Sequence, residues 1–127
     1  MDAKLYNGLS LAYLGDVVYE IYIRKHALSL GLTKVNSLHK KVVEFTSGEA
    51  QAKIIRKLIE MNELSDEEIA IYKRGRNTKS ATVPKNANVI DYRNATGFEA
   101  LIGYLYLTGN RERLFNILEK STEIQLK

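Results

Sequence analysis

The sequence predicts an all-α domain, and three features carry that expectation. Apolar residues recur at helical spacing along nearly all of the 127 residues. Cap and turn residues fall between the periodic stretches. No alternating strand pattern persists beyond a few residues. The length suits one domain with a single modest core, residues 1–127, with no internal repeat and no linker to divide it. A hydrophobic content of 45% with 27% charged residues is the composition of a folded chain, which excludes a disordered one.

The elements follow in order. Asn7 is placed to cap a helix running to roughly Leu30, with Gly31 as its stop. Leu14, Val17, Val18 and Ile21 have the i, i+3, i+4, i+7 spacing of a buried stripe. Tyr13, Tyr19 and Tyr22 make this helix apolar on nearly every side, as expected of one enclosed in a domain or between subunits. Asn36 or Ser37 opens a second helix through Leu38, Val42 and Val43. Ser47 caps a third, carrying Ala50, Ile54 and Leu58 with the offset pair Ile55 and Ile59. Ser65-Asp66-Glu67-Glu68 has the form of a capping box for a short helix to about Tyr72. A loop of about 15 residues comes next, with Gly75, the only proline (Pro84), Asn77, Asn86 and Asn88; a loop of that length is more often functional than not. A helix resumes near Tyr92 with the stripe Phe98, Leu101, Ile102 and Leu105, ending at Gly109-Asn110. A final helix carries Leu114, Ile117 and Leu118.

Composition narrows the chemistry. The absence of cysteine excludes disulfides, thiolate metal sites and cysteine nucleophiles, and fits a reducing, cytoplasmic compartment. Met1 to Lys4 lacks the basic region and long apolar run of a signal peptide. No charge-free apolar stretch reaches the roughly 18 residues of a membrane span; Leu5 to Ile23 comes nearest, and Asp16 and Glu20 interrupt it. No membrane partner is therefore expected. The net charge is +4, and it is sorted along the chain. Lys73 to Arg93 sets six basic residues against Asp91 alone, whereas Glu60 to Glu68 holds five acids and no base. Such sorting points to a one-sided surface for a polyanion.

The carboxylates are more informative. Asp16 and Glu20 are the only formal charges between Leu5 and Ile23, and Glu99 is the only one between Ala95 and Asn110. A carboxylate on a buried face is costly because desolvation disfavours its charged form. A cation, a shared proton or a distant Arg or Lys must compensate, and a hard divalent metal suits a site built from oxygens alone. Asp16 after Gly15 also reads as the cap of a broken helix, Glu20 as the i+4 partner of Arg24, and Glu99 as satisfied by an internal Lys or backbone group. Gly103, one turn after Glu99, favours a close approach there, since glycine costs about 1 kcal/mol inside a helix. Carboxylates that bind metal, beside a basic loop that binds phosphates, are the two parts a metal-dependent phosphodiesterase needs.

Leu11-Ala12-Tyr13-Leu14-Gly15-Asp16 resembles the signature helix of the ribonuclease III family, where Leu-Glu-Phe-Leu-Gly-Asp is usual, and Phe98-Glu99-Ala100-Leu101-Ile102-Gly103 resembles its second acidic helix. Leu38-His39-Lys40-Lys41, Lys73-Arg74-Gly75-Arg76-Asn77 with Lys79-Ser80, Pro84-Lys85-Asn86 and Phe98 to Tyr104 are similar to the Mini-III subgroup, in order and spacing, over nearly the whole chain. The resemblance implies a homodimeric all-helical endonuclease domain acting on double-stranded RNA, without a separate double-stranded-RNA-binding domain. It implies magnesium held by Asp16 and Glu99 as catalytic ligands, 5′-phosphate products, and the large-subunit (23S) ribosomal RNA precursor as substrate. A ribosomal protein is a further candidate partner. Two of the family's four carboxylates are replaced, by Ala12 and Thr96, a trait shared with Mini-III. Glu20, one turn after Asp16, and Glu49 are candidate substitutes, although pairing of Glu20 with Arg24 and exposure of Glu49 are the plainer readings. Tyr13 falls at the family's dimer-interface position, or is an ordinary core tyrosine.

Arg74, Arg76, Lys79 and Lys85 are the expected RNA contacts, with Asn77 and Asn86 as polar helpers and Lys40 beside His39 and Lys41 on a basic or merely solvated face. A-form RNA presents phosphates and 2′-hydroxyls, so contact there is shape-directed and steeply salt-dependent. His26 and His39 lie too far apart in sequence to be paired ligands on one helix face. Ala12 and Thr96 favour a rival reading, a binding module that no longer cuts; a helical scaffold whose acids are paired with lysines is a third.

Overall fold

The computed structural model describes residues 2–78, 83, 85 and 87–126. Among them a short 3-10 turn (Ala3–Leu5) precedes six α-helices and there is no strand. The helices are α1 (Gly8–Ser29), α2 (Val35–Thr46), α3 (Gly48–Glu60), α4 (Asp66–Asn77), α5 (Val89–Leu107) and α6 (Arg111–Leu126). The all-α expectation holds.

The centre is α5. Every residue from Asn94 to Leu105 except Glu99 is buried, and α1, α3, α4 and α6 all pack on this helix. A helix that is apolar nearly all round can only be stable when enclosed in this way. The expected stripe Phe98, Leu101, Ile102 and Leu105 lies in the core, as do Leu114, Ile117 and Leu118 of α6. Local signals set the helix starts. The Asn7 side chain accepts from the Ser10 amide, Ser47 from Ala50, and Ser65 with Glu68 forms the full capping box.

Three expectations need correction. The stripe proposed for α1 is not its buried face: Val17 and Ile21 are mostly exposed, and Leu14 and Val18 half-buried. The buried residues are Gly8, Leu11, Ala12, Gly15, Tyr19, Ile23 and Ala27. Periodicity cannot choose a face on a helix that is apolar all round; the backbone approach at Gly15 does. Second, α2 begins at Val35, ahead of Asn36 and Ser37, and Lys34 at its N-cap supplies no side-chain bond. Third, the basic loop is shorter than expected. Helix α4 runs on to Asn77 and α5 starts at Val89, capped by Asn88. Gly75 does not break α4, because a glycine there lets the backbone sit against Gly97 and Ala100 of α5, and tertiary packing outweighs its intrinsic cost.

Outside the site, the least exposed ion pair among the described residues joins Arg113 and Glu68. The Arg113 guanidinium donates to both carboxylate oxygens of the buried Glu68, at 2.7 and 2.8 Å. Those bonds hold the Glu68 carboxyl below its ordinary value against the opposing pull of burial. A carboxyl depressed by folding stabilises the chain above its unfolded value of about 4.5, and that stabilisation is lost as pH falls through the depressed value. Arg113→Ala should therefore lower stability by about 3 kcal/mol at pH 7, with a smaller loss in acid. Urea unfolding at pH 7 and pH 3 measures both.

Candidate active site

The site is built where α1 crosses α5. Gly15 lies against the backbone of Glu99 and Gly103, and Gly103 lies against the Leu11 carbonyl and the Gly15 amide. A Cβ at either glycine would overlap main-chain atoms of the other helix. The close approach inferred at Gly103 is thus to helix α1. Its consequence is that Asp16 and Glu99, far apart in sequence, come within hydrogen-bonding reach of each other.

Asp16 is exposed at the rim, and Glu99 is half-buried. Burial, then the hydrogen bond and negative charge of Asp16, pushes the Glu99 carboxyl up to about 9, while donation from Gln51 pulls the other way. Without a cation the Glu99 carboxyl keeps its proton well above the ordinary carboxylate range. Among the described residues no group of three or more His, Asp or Glu side chains is placed to hold a metal. The two replaced family positions explain this. Ala12 is buried, and the Thr96 hydroxyl donates to the Tyr92 carbonyl within α5.

The arrangement suits a divalent ion on two counts. The donors are oxygens only, as magnesium prefers. In addition, Oε1 of the buried Gln51 accepts no hydrogen bond beside the pair. Sequence reasoning missed Gln51. Its signal was present, since Gln51, Ile54, Ile55 and Leu58 form an i, i+3, i+4, i+7 stripe, and a polar residue on such a stripe calls for a reason.

A cleft of about 460 Å³ opens over Glu99, lined also by Glu49, Gln51, Asn88, Asp91 and Tyr92. Asp91 is not a spare acid, because Arg56 pairs with it at 3.0 Å. Glu20 pairs with Arg24 at 3.0 Å, the structural reading of that residue. Glu49 is exposed on the first turn of α3. Tyr92 is shared with a second cleft that carries Arg76 and Arg93, so basic side chains adjoin the acidic one.

The remaining candidates separate. Arg74 and Arg76 lie on α4 and not in a loop. The Arg74 guanidinium donates to the Lys4 and Tyr6 carbonyls at 2.7 and 2.8 Å, tying down the N-terminal turn. Arg76 donates to Asn77 and lies over the Tyr72 ring, 5.5 Å from its centre. Lys40 and Lys85 are exposed, and Lys41 pairs with Glu44. Lys79 and Asn86 lie outside the described residues. Tyr13 is 82% exposed, which removes the reading of a core tyrosine.

The proton on Glu99 makes a testable prediction. A carboxyl raised by folding stabilises the protonated fold below its unfolded value, and that contribution is lost as pH rises to about 9. In EDTA, the melting temperature should fall between pH 5 and 9, and Glu99→Gln should flatten the decline. A divalent ion must displace this proton, so its affinity should rise by up to about tenfold per pH unit over the same range.

The ribonuclease III domain model matches residues 9–110. A Mini-ribonuclease 3 from Streptococcus pneumoniae is 48% identical over 118 residues, covering 93% of this chain and 92% of that protein. One from Enterococcus faecalis is 51% identical over 117 residues, covering 92% and 89%. A crystal structure of a protein from Fusobacterium nucleatum superimposes with a TM-score of 0.84 at 36% identity, covering 96% of each chain. The chain belongs to the ribonuclease III family and, within it, to the Mini-ribonuclease 3 group.

Proposed function

We propose that this chain is a magnesium-dependent endoribonuclease that cuts double-stranded RNA, with the 23S ribosomal RNA precursor as its natural substrate. The observation that carries the reading is the convergence of Asp16 and Glu99 at a glycine crossing, beside a cleft with basic side chains. Family membership supports ribonuclease III-type endonuclease chemistry and a divalent metal. Magnesium, when bound, would activate water and neutralise charge developing on the phosphate, leaving 5′-phosphate ends. Asp16 and Glu99 hold the ion; Gln51 holds Glu99. Arg76, Asn77, Lys85 and Lys40, together with Lys79 and Asn86, engage phosphates and 2′-hydroxyls. Arg74 acts by anchoring the α4 terminus through the Lys4 and Tyr6 carbonyls. Residues 1–127 serve as one catalytic domain in the cytoplasm, with a ribosomal protein as a candidate partner on the precursor. Among the described residues no helix is long and apolar enough to cross a membrane.

The domain works as a homodimer. Tyr13, Val17 and Ile21 recur at i, i+4, i+8 on the outer face of α1, each more than half exposed, and Leu9 adds to them. A second copy would bury this face and set two cutting sites on one duplex. Tyr13→Asp should convert the dimer to a monomer by light scattering, with cleavage falling at least tenfold; an unchanged mass would count against the interface.

The deciding assay incubates the protein with long double-stranded RNA, with and without magnesium, beside Asp16→Asn and Glu99→Gln. Cutting that requires the metal and both acids supports the enzyme. Binding without cutting supports the rival module, which the replacements at Ala12 and Thr96 favour.

A further inference from the structure

Among the described residues, Gln51 is the one side chain that hydrogen-bonds Glu99 from a third helix. It is 2% exposed, and its amide nitrogen donates to the Thr46 carbonyl at 2.9 Å and to Glu99 Oε2 at 3.3 Å. The Thr46 main-chain carbonyl can only accept, and the same nitrogen lies against Glu99. The nitrogen must therefore face them, which fixes the orientation of the amide. Both N–H groups are then used, and Oε1 is left buried without a donor. Leaving such an oxygen unpaired costs about 1–3 kcal/mol. A methionine or leucine would fill this position on the apolar stripe of α3 without that cost. Beside this amide stands the Asp16–Glu99 pair.

We propose that Gln51 is a positioning residue for the cation: its nitrogen fixes the Glu99 carboxylate, and its Oε1 accepts from the hydration shell of a divalent ion held by Asp16 and Glu99. The inference rests on reading those two acids as the ligands. It answers a question the pair leaves open. Two carboxylates fill few of the positions around a magnesium ion, which retains several waters, and those waters need acceptors. With Ala12 and Thr96 standing where the wider family has acids, Gln51 supplies a neutral acceptor from α3. Groups of this outer kind commonly govern metal affinity by 10–100-fold.

The test uses the intact protein and Mn²⁺ alone, titrated calorimetrically without RNA. Gln51→Met fills the same volume and removes both ends of the amide. Gln51→Glu keeps an acceptor oxygen but can donate to neither Thr46 nor Glu99. Both variants lose the bonds to Thr46 and Glu99, so a purely structural role would affect them equally. The expected result is a Kd for Mn²⁺ raised about 10–100-fold in Gln51→Met, and raised clearly less in Gln51→Glu, which loses the nitrogen but keeps an acceptor. In cleavage assays the half-saturating magnesium concentration should rise for Gln51→Met by a larger factor than the rate at saturating magnesium falls. Equal weakening in both variants, or unchanged Kd in Gln51→Met, overturns the proposal. Should Gln51→Met not fold, loss of Mn²⁺ binding in a folded Gln51→Glu overturns it as well. Asp16→Asn separates the two levels: if it binds Mn²⁺ as tightly as the parent, the metal reading itself fails, whatever Gln51 does.

Discussion

Asp16→Asn and Glu99→Gln should each reduce cleavage of double-stranded RNA by on the order of 10³-fold or more. Both substitutions keep shape and remove charge. A divalent ion contributes several kcal/mol to stabilising charge at a phosphoryl centre, and about 4 kcal/mol corresponds to roughly 10³ in rate. Among the described residues no third acid is placed with the two to cover the loss of either. The variants should differ in stability. Glu99 is desolvated and faces Asp16, so Glu99→Gln relieves both strains and should raise the ion-free melting temperature above pH 7. Asp16 is exposed, so its replacement relieves only the pair repulsion. RNA affinity in EDTA should be unchanged or tighter, because each substitution removes negative charge near the phosphates. Single-turnover cleavage, melting in EDTA and filter binding check the three parts. More than about a tenth of parental activity in either variant would remove that residue from the site.

The sequence was most legible where its signals are local. Asn7, Ser47 and the Ser65–Glu68 box act within one turn, and each forms as expected. Asp16 and Glu99 stood out because charge is rare in apolar helices, and a cost that sharp marks its own position. What failed was settled by contacts distant in sequence. The buried face of α1 depends on Gly15 meeting α5, and the length of α4 on Gly75 meeting Gly97. Arg74 looks like a free phosphate contact until the Lys4 carbonyl, 70 residues earlier, takes its guanidinium. Gln51 was overlooked because a neutral amide carries no charge to flag it, although its place on a buried stripe could have done so.

Gly15→Ala and Gly103→Ala should be the most damaging single-methyl changes in the chain. At either position the added carbon overlaps main-chain oxygen of the opposing helix, Glu99 for Gly15 and Leu11 for Gly103. Side chains can rotate away from a methyl, but a helix backbone cannot, so the helices must separate. Overpacking typically costs 1–3 kcal/mol when side chains absorb it; here the two central helices must move, and a loss of at least about 3 kcal/mol is expected. That corresponds to a fall in melting temperature of more than about 10 °C for a domain of this size. Gly48→Ala is the control. It sits in the first turn of α3 with nothing within 4 Å of the new carbon, and alanine is the better helix former by up to about 1 kcal/mol, so stability should hold or rise slightly. The crossing also sets the distance between Asp16 and Glu99. Where Gly103→Ala still folds, Mn²⁺ affinity should fall by more than the fraction unfolded explains, because one ion can no longer be reached from both helices. Equal melting temperatures for Gly103→Ala and Gly48→Ala would mean that α1 and α5 do not meet at their backbones.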